Sequence, residues 1–171
     1  MKIAILGYSG SGKSTLAAYL GKQYGISYLH LDQVQFTDNW QTRPETVAKE
    51  IVEDFMGKPD WIIDGNYTRY YQAERLKQAD QIVLLLFPRY AALWRIFKRT
   101  VRYHGKSRPD MAANSPEHFS WEFFWWIIWK GRTSNVRKHY QTIQNQYPQK
   151  VIVIKNQQQL NAFYRRPKNS D

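Results

Sequence analysis

The sequence predicts an α/β fold in which helices cover both faces of a parallel sheet. Two observations carry this. Five short runs are continuously apolar, as strands buried on both faces are, and between them apolar residues recur at helical spacing. The runs are Ile3 to Leu6, Tyr28 to Leu31, Trp61 to Ile63, Gln81 to Phe87 and Val151 to Ile154. Strand-helix alternation of this kind gives a three-layer α/β/α architecture.

Between the first two runs, Leu16, Tyr19, Leu20 and Tyr24 form a helical stripe ended by Gly25, a residue suited to the left-handed turn that closes a helix. After the fourth run, Leu93, Ile96, Phe97 and Val101 form another. His104 to Asn114 is a long connection rich in Gly, Pro and charge. Such a segment reads as a lid over about 104–117, the alternative being a surface loop. Ser115, Pro116 and Glu117 start a helix, with Ser capping free N–H groups and Pro in the first turn. That helix carries Phe119, Trp121, Phe123, Phe124, Trp125, Trp126 and Trp129. Aromatic side chains all round a helix point to core packing or a homodimer surface, with stacking on a base as the alternative. The tail over 165–171 is expected to fray.

With 171 residues the chain suits one domain rather than two. It has no cysteine, which excludes disulfides, thiolate metal sites and cysteine nucleophiles. No apolar run is long enough for a signal-peptide core or a membrane span, so a cytoplasmic protein is expected. The net charge of +11, from 25 basic and 14 acidic residues, favours anionic partners without choosing among nucleotides, phosphorylated metabolites and nucleic acid.

Gly7-Tyr8-Ser9-Gly10-Ser11-Gly12-Lys13-Ser14 matches G-x-x-x-x-G-K-[ST], directly after a buried strand and before an amphipathic helix. Glycines let successive backbone N–H groups turn inward on a phosphate, and the helix N-terminus adds positive potential. Gly7, Ser9, Gly10, Ser11, Gly12, Lys13, Ser14 and Thr15 are therefore the expected ATP-binding residues. Lys13 would neutralise the terminal phosphates and Ser14 would hold Mg2+. A dinucleotide fingerprint is excluded, because Thr15 stands where its third glycine belongs.

Asp32 and Asp64 each follow an apolar run, at the sheet edge where doubly wound folds bind ligands. One would orient the metal and the other would meet the acceptor; the alternative for each is an Asp that caps the following turn. Asp80 precedes its strand and is a poor candidate, and His30 reads as packed within its strand. Arg95, Arg99 and Arg102 fall on one helix face, opposite the apolar stripe. A solvated basic face is the alternative, but phosphoryl transfer is catalysed largely by cations that clamp developing charge.

On these residues the chain resembles the nucleoside monophosphate kinase-like P-loop superfamily, especially bacterial adenylate-kinase-related proteins labelled DNA topology modulation proteins. The likeness rests on Gly7 to Thr15, Leu31-Asp32, Trp61-Ile62-Ile63-Asp64-Gly65-Asn66-Tyr67, and Arg95 with Arg99. It implies a sheet of order 2-3-1-4-5 with a helical lid. Asp64 to Arg69 resembles the family's Asp-Gly-Phe-Pro-Arg element with one residue extra, which implies Asp64 at the metal and Arg69 on phosphate. Arg95 and Arg99 match in spacing a pair of arginines placed one near adenine and one on phosphate. Arg108, Arg132 and Arg137 are the lid candidates. The acceptor-side motif is not recognisable between Asp32 and Arg43, which leaves the acceptor open.

The leading expectation is a Mg2+- and ATP-dependent kinase with Lys13, Asp32 and Arg99 catalytic and Asp32, Arg43, Asp64 and Arg69 around a small, anionic acceptor. An alcohol acceptor would need Asp32 as base, whereas a phosphate would need arginines more. The alternative is an ATP-binding regulator that associates with nucleic acid, suggested by the basic charge and the aromatic cluster. A GTPase-like switch is set aside, because no N-K-x-D signature occurs.

Overall fold

All five predicted strands form in the computed structural model, which describes residues 1–95 and 130–165. The predicted lid, Arg99, Arg102, Arg108, the aromatic helix with its proposed dimer surface, and the tail from residue 166 lie outside the described residues. The strands are β1 (Lys2–Gly7), β2 (Tyr28–His30), β3 (Trp61–Asp64), β4 (Gln81–Leu85) and β5 (Val151–Ile154). They pair in parallel in the order β2-β3-β1-β4-β5. The helices are α1 (Lys13–Tyr24), α2 (Leu31–Gln35), α3 (Glu45–Met56), α4 (Gln72–Gln78), α5 (89–95), α6 (Ser134–Gln146) and α7 (Gln157–Tyr164).

Alternation along each strand divides the core between two faces, because successive side chains point to opposite sides of a sheet. Ala4, Leu6, Trp61, Ile63, Ile82 and Leu84 pack with α2, α3, α4 and α6. Ile3, Ile5, Ile62, Val83 and Leu85 pack with α1 and α7. Both faces are covered, which is why the strands read as unbroken apolar runs. The result is a three-layer α/β/α fold.

Two details depart from the sequence reading. Tyr19, expected in the buried stripe of α1, is 39% exposed, and its ring sits edge-on to Tyr164 at 4.4 Å. The buried face is instead Leu16, Ala17, Leu20 and Gly21. Gly21 lets β2 approach closely, since a Cβ there would stand 2.4 Å from the Tyr28 ring. The second strand ends at His30 rather than Leu31, so Asp32 occupies the first turn of α2 instead of a strand terminus. A helix N-terminus favours a carboxylate there.

The loop from β3 to α4 is held from beneath by a buried cation. Arg75 is fully buried and donates Nε to Tyr70 O at 2.9 Å, Nη2 to Tyr67 O at 2.9 Å and Nη1 to Gly65 O at 3.5 Å. Burial lowers its pKa to about 10, opposed by the charge of Asp64, so it stays protonated at neutral pH. Arg75→Met fills much of the same volume but leaves those carbonyls without a donor. With hydrogen bonds from a charged group contributing roughly 1.5–3 kcal/mol each, partly offset by the relieved desolvation, a net loss of about 3 kcal/mol is expected. Urea unfolding of the two proteins measures it.

Candidate functional site

The phosphate loop takes the shape its glycines allow. Gly7, Gly10 and Gly12 have φ of 143°, 70° and 94°, values that residues with a Cβ rarely adopt. Gly12 stands immediately before α1, and Lys13 and Ser14 open that helix with its free N–H groups. The Lys13 ammonium donates to Gly7 O and Tyr8 O, each at 3.2 Å, so it lies folded over the loop. Ser9, Gly10, Gly12 and Ser14 are partly buried, Thr15 is exposed, and the buried Ser11 hydroxyl has no partner.

Arg95 reaches this loop. Its Nη1 donates to Ser11 O at 2.6 Å, its Nη2 to Gln157 Oε1 at 2.5 Å, and its guanidinium lies 3.8 Å from the Phe87 ring centroid. Burial lowers its pKa, opposed by Tyr164. Beside it opens a cleft of about 480 Å³ whose lining includes Phe87, Tyr90, Trp94, Arg95, Asn156 and Gln157. The cleft combines a guanidinium face, aromatic surface and side-chain amides, and Arg95 links it to the phosphate loop through Ser11 O. Those groups suit a flat, hydrogen-bonding ring.

Of the lid candidates, Arg132 is the described residue that meets the phosphate loop. It is buried, donates Nη1 to Phe87 O at 2.6 Å and stands 4.0 Å over the Tyr8 ring, which packs edge-on against Tyr140. Its Nε and Nη2 are buried without partners, and burial lowers its pKa. Buried guanidinium donors of this kind ordinarily have partners, so the unmatched N–H groups mark Arg132 beside the phosphate loop. Arg137 is exposed on α6.

On the other side of β1, the loop after β3 lies near the residues expected on the acceptor side. Asp64 ends β3, is 3% exposed, and places Oδ1 2.8 Å from His30 Nδ1. His30 is buried as expected, but the ring is also paired. Asp32 accepts a hydrogen bond from the Tyr67 hydroxyl at 2.8 Å. Burial, and then the charge of Asp32, raise the Tyr67 pKa, so this phenol remains a donor. Arg69 donates to Gln35 Oε1, which also accepts from the Tyr70 hydroxyl. Arg43 donates its backbone N–H to Gln35 O at 2.9 Å and its Nε to Val34 O at 2.9 Å. Two guanidinium groups thus anchor on consecutive residues of α2, and Asp32 lies in the same short helix. Asp80 accepts from the backbone N–H of Lys2 at 2.7 Å.

Sequence reasoning gave no role to Asn66, whose side chain bonds both backbone groups of Gly7, or to Gln35 and Arg75. The partners of Asn66 and Gln35 lie 34 to 59 positions away, too far for spacing to reveal them, while Arg75 acts on nearby backbone carbonyls that no side-chain pattern marks. The position of Asn66 directly after a strand-ending Asp-Gly was the available signal.

No protein-family model matches the chain. It is 27% identical to an adenylate kinase of Clostridium kluyveri over 143 residues, 64% of this chain and 66% of that protein. The match therefore spans just under two thirds of that relative's length. An adenylate kinase of Bifidobacterium longum is 28% identical over 151 residues, covering 71% of this chain and 81% of its own. Among solved structures, a shikimate kinase from Acinetobacter baumannii in complex with shikimate superposes with a TM-score of 0.56 at 16% identity, over 95% of this chain and 88% of that one. The sheet order, the glycine-rich turn onto α1 and these likenesses together give the chain a nucleoside monophosphate kinase-like P-loop fold.

Proposed function

We propose that the chain transfers the terminal phosphoryl group of ATP to a small anionic acceptor. The observation that carries this reading is the loop after β3, which touches the phosphate loop through Asn66 and the Asp32 carboxylate through Tyr67. A phosphate-binding turn is thereby tied to a carboxylate on α2, the short helix on which Arg43 and Arg69 also anchor. The ATP phosphates lie on Gly7 to Ser14, with Lys13 swinging from Gly7 O and Tyr8 O onto them. The base occupies the cleft beside Arg95, and Arg132 supplies unmatched N–H groups toward the phosphates. Arg99 is assigned the clamp on the moving phosphoryl group.

Ser14, Asp32 and Asp64 offer only hard oxygen donors, which suits Mg2+, an ion that relies on few protein ligands and on substrate phosphates. Among the described residues no cluster of three acidic or imidazole groups could hold a metal unaided. Ser14 and Asp64 are the residues that would hold Mg2+, which supplies charge neutralisation across the phosphates when bound.

Arg43 and Arg69 hold the acceptor's anionic group. Where the acceptor oxygen is a hydroxyl, its proton passes to Asp32 as the new P–O bond forms and the bridging P–O bond to ADP breaks. Asp32→Asn is then expected to lower acceptor-dependent turnover about 10²- to 10⁴-fold with unchanged ATP affinity. A phosphate acceptor would tolerate the substitution, so the variant also identifies the acceptor class.

The test is ADP production from MgATP against a panel of nucleoside monophosphates and small phosphorylated or hydroxylated anions. Acceptor-stimulated turnover that disappears in Lys13→Ala supports the kinase and names its substrate. ATP binding without stimulation by any acceptor would shift the reading to an ATP-binding regulator.

A further inference from the structure

Gly7 is where β1 leaves the sheet, and its backbone is completed by a side chain. The β1–β3 ladder runs as far as Gly65 N–H to Ile5 O at 3.0 Å. The next rung is missing, because Gly65 O faces Arg75 instead. In its place the Asn66 carboxamide accepts from Gly7 N–H at 3.0 Å and donates Nδ2–H to Gly7 O at 2.7 Å. These complementary bonds fix which amide atom is oxygen. Asn66 is itself fixed, since its own carbonyl accepts from Gln72 Nε2 at 3.1 Å while Arg75 holds the carbonyls on either side.

Gly7 O is also an acceptor for Lys13 Nζ. Gly7 is buried, so a carbonyl that lost its sole donor would be left unsatisfied when Lys13 moved. With Asn66 in place, Lys13 can leave and Gly7 O keeps a partner.

We infer that Asn66 is a positioning residue for nucleotide binding: its carboxamide holds the first turn of the phosphate loop and keeps Gly7 O satisfied when Lys13 turns to the phosphates. This rests on the reading that Gly7 to Ser14 binds ATP. It adds a residue that touches no substrate and ties the donor side to the loop that carries Tyr67.

MgATP binding to the full chain, measured by calorimetry at pH 7.5 and 5.0, tests it with wild type, Lys13→Ala, Asn66→Ala and Asn66→Asp. Each variant is compared with wild type at the same pH, which cancels the protonation of ATP. Thermal unfolding accompanies each. Asn66→Ala is expected to bind about tenfold more weakly at both pH values. Asn66→Asp as the carboxylate can accept from Gly7 N–H but repels Gly7 O and the phosphates, so its deficit at pH 7.5 should exceed that of alanine. A protonated carboxyl reproduces the amide's donor and acceptor, and an adjacent carbonyl and triphosphate favour that form. Its deficit should therefore shrink at least threefold at pH 5.0 at an assay temperature where every variant is folded, whereas a role confined to fold stability would leave affinity there unchanged.

Wild-type affinity in both Asn66 variants, with Lys13→Ala impaired, would overturn the positioning role alone. A loss in both variants that follows their unfolding temperatures and shows no recovery at pH 5.0 would also overturn it. Failure of the wild type to bind MgATP would overturn the nucleotide reading and the inference with it.

Discussion

Gly7→Ala is expected to be among the most destabilising single substitutions in the described chain. A Cβ at this position would stand 2.3 Å from Leu85 O and 2.8 Å from both Leu85 C and Leu85 N. Those atoms are backbone of β4, registered against Gly7 at the C-terminal end of two adjacent interior strands, and Leu85 O is already committed to Tyr8 N–H at 3.1 Å. A flexible side chain could rotate away, but a central strand cannot. The backbone must also hold φ of 143°, a region closed to L side chains. Strain of this kind and overpacking each contribute roughly 1–3 kcal/mol, so about 3–5 kcal/mol of stability should be lost. That is a large share of the 5–15 kcal/mol typical of a domain. Denaturant titration gives the value. A loss below about 1 kcal/mol would mean that β1 and β4 separate more readily than their packing implies.

The same turn shows why part of the fold is legible in the sequence. The turn from β1 to α1 is dictated locally, by which residues accept positive φ, so the glycines of the phosphate loop declare it in the sequence. The strands declare themselves because both faces of the sheet are covered, leaving no polar alternation to confuse with a solvated strand. By contrast, the contacts that assemble the site are remote. Asn66 meets Gly7 across 59 positions, and Tyr67 meets Asp32 across 35. No periodicity encodes such pairs.

Burial also hid two polar features. Arg75 follows Glu74 in a short, strongly polar helix, and nothing in that composition distinguishes a buried guanidinium from a solvated one. His30 sits in a strand and reads as packing, although its ring meets Asp64. Asp32 was read correctly as lying near the sheet edge but was assigned to the wrong element. The apolar run continues through Leu31, and the change from strand to helix there leaves no compositional mark.

Lys13→Ala should remove most nucleotide affinity and turnover while sparing the fold. The ammonium rests on the carbonyls of Gly7 and Tyr8, part-buried acceptors of partial charge. A triphosphate offers full negative charge at the same loop, so the exchange favours the bound state. Alanine retains helix propensity at the start of α1, and Gly7 O keeps its bond from Asn66. The unfolding midpoint should therefore move little, in contrast to Gly7→Ala. Loss of a preorganised cation at developing charge lowers turnover by about 10²–10³-fold, and MgATP binding should weaken in parallel. Lys13→Arg separates charge from geometry: a planar guanidinium keeps the charge but cannot fold over the same two carbonyls as a point donor. Partial recovery of affinity without recovery of turnover is the expected pattern. Full activity in Lys13→Ala would remove the ammonium from the mechanism and leave Arg99 and Arg132 as the cations proposed to act on the phosphates.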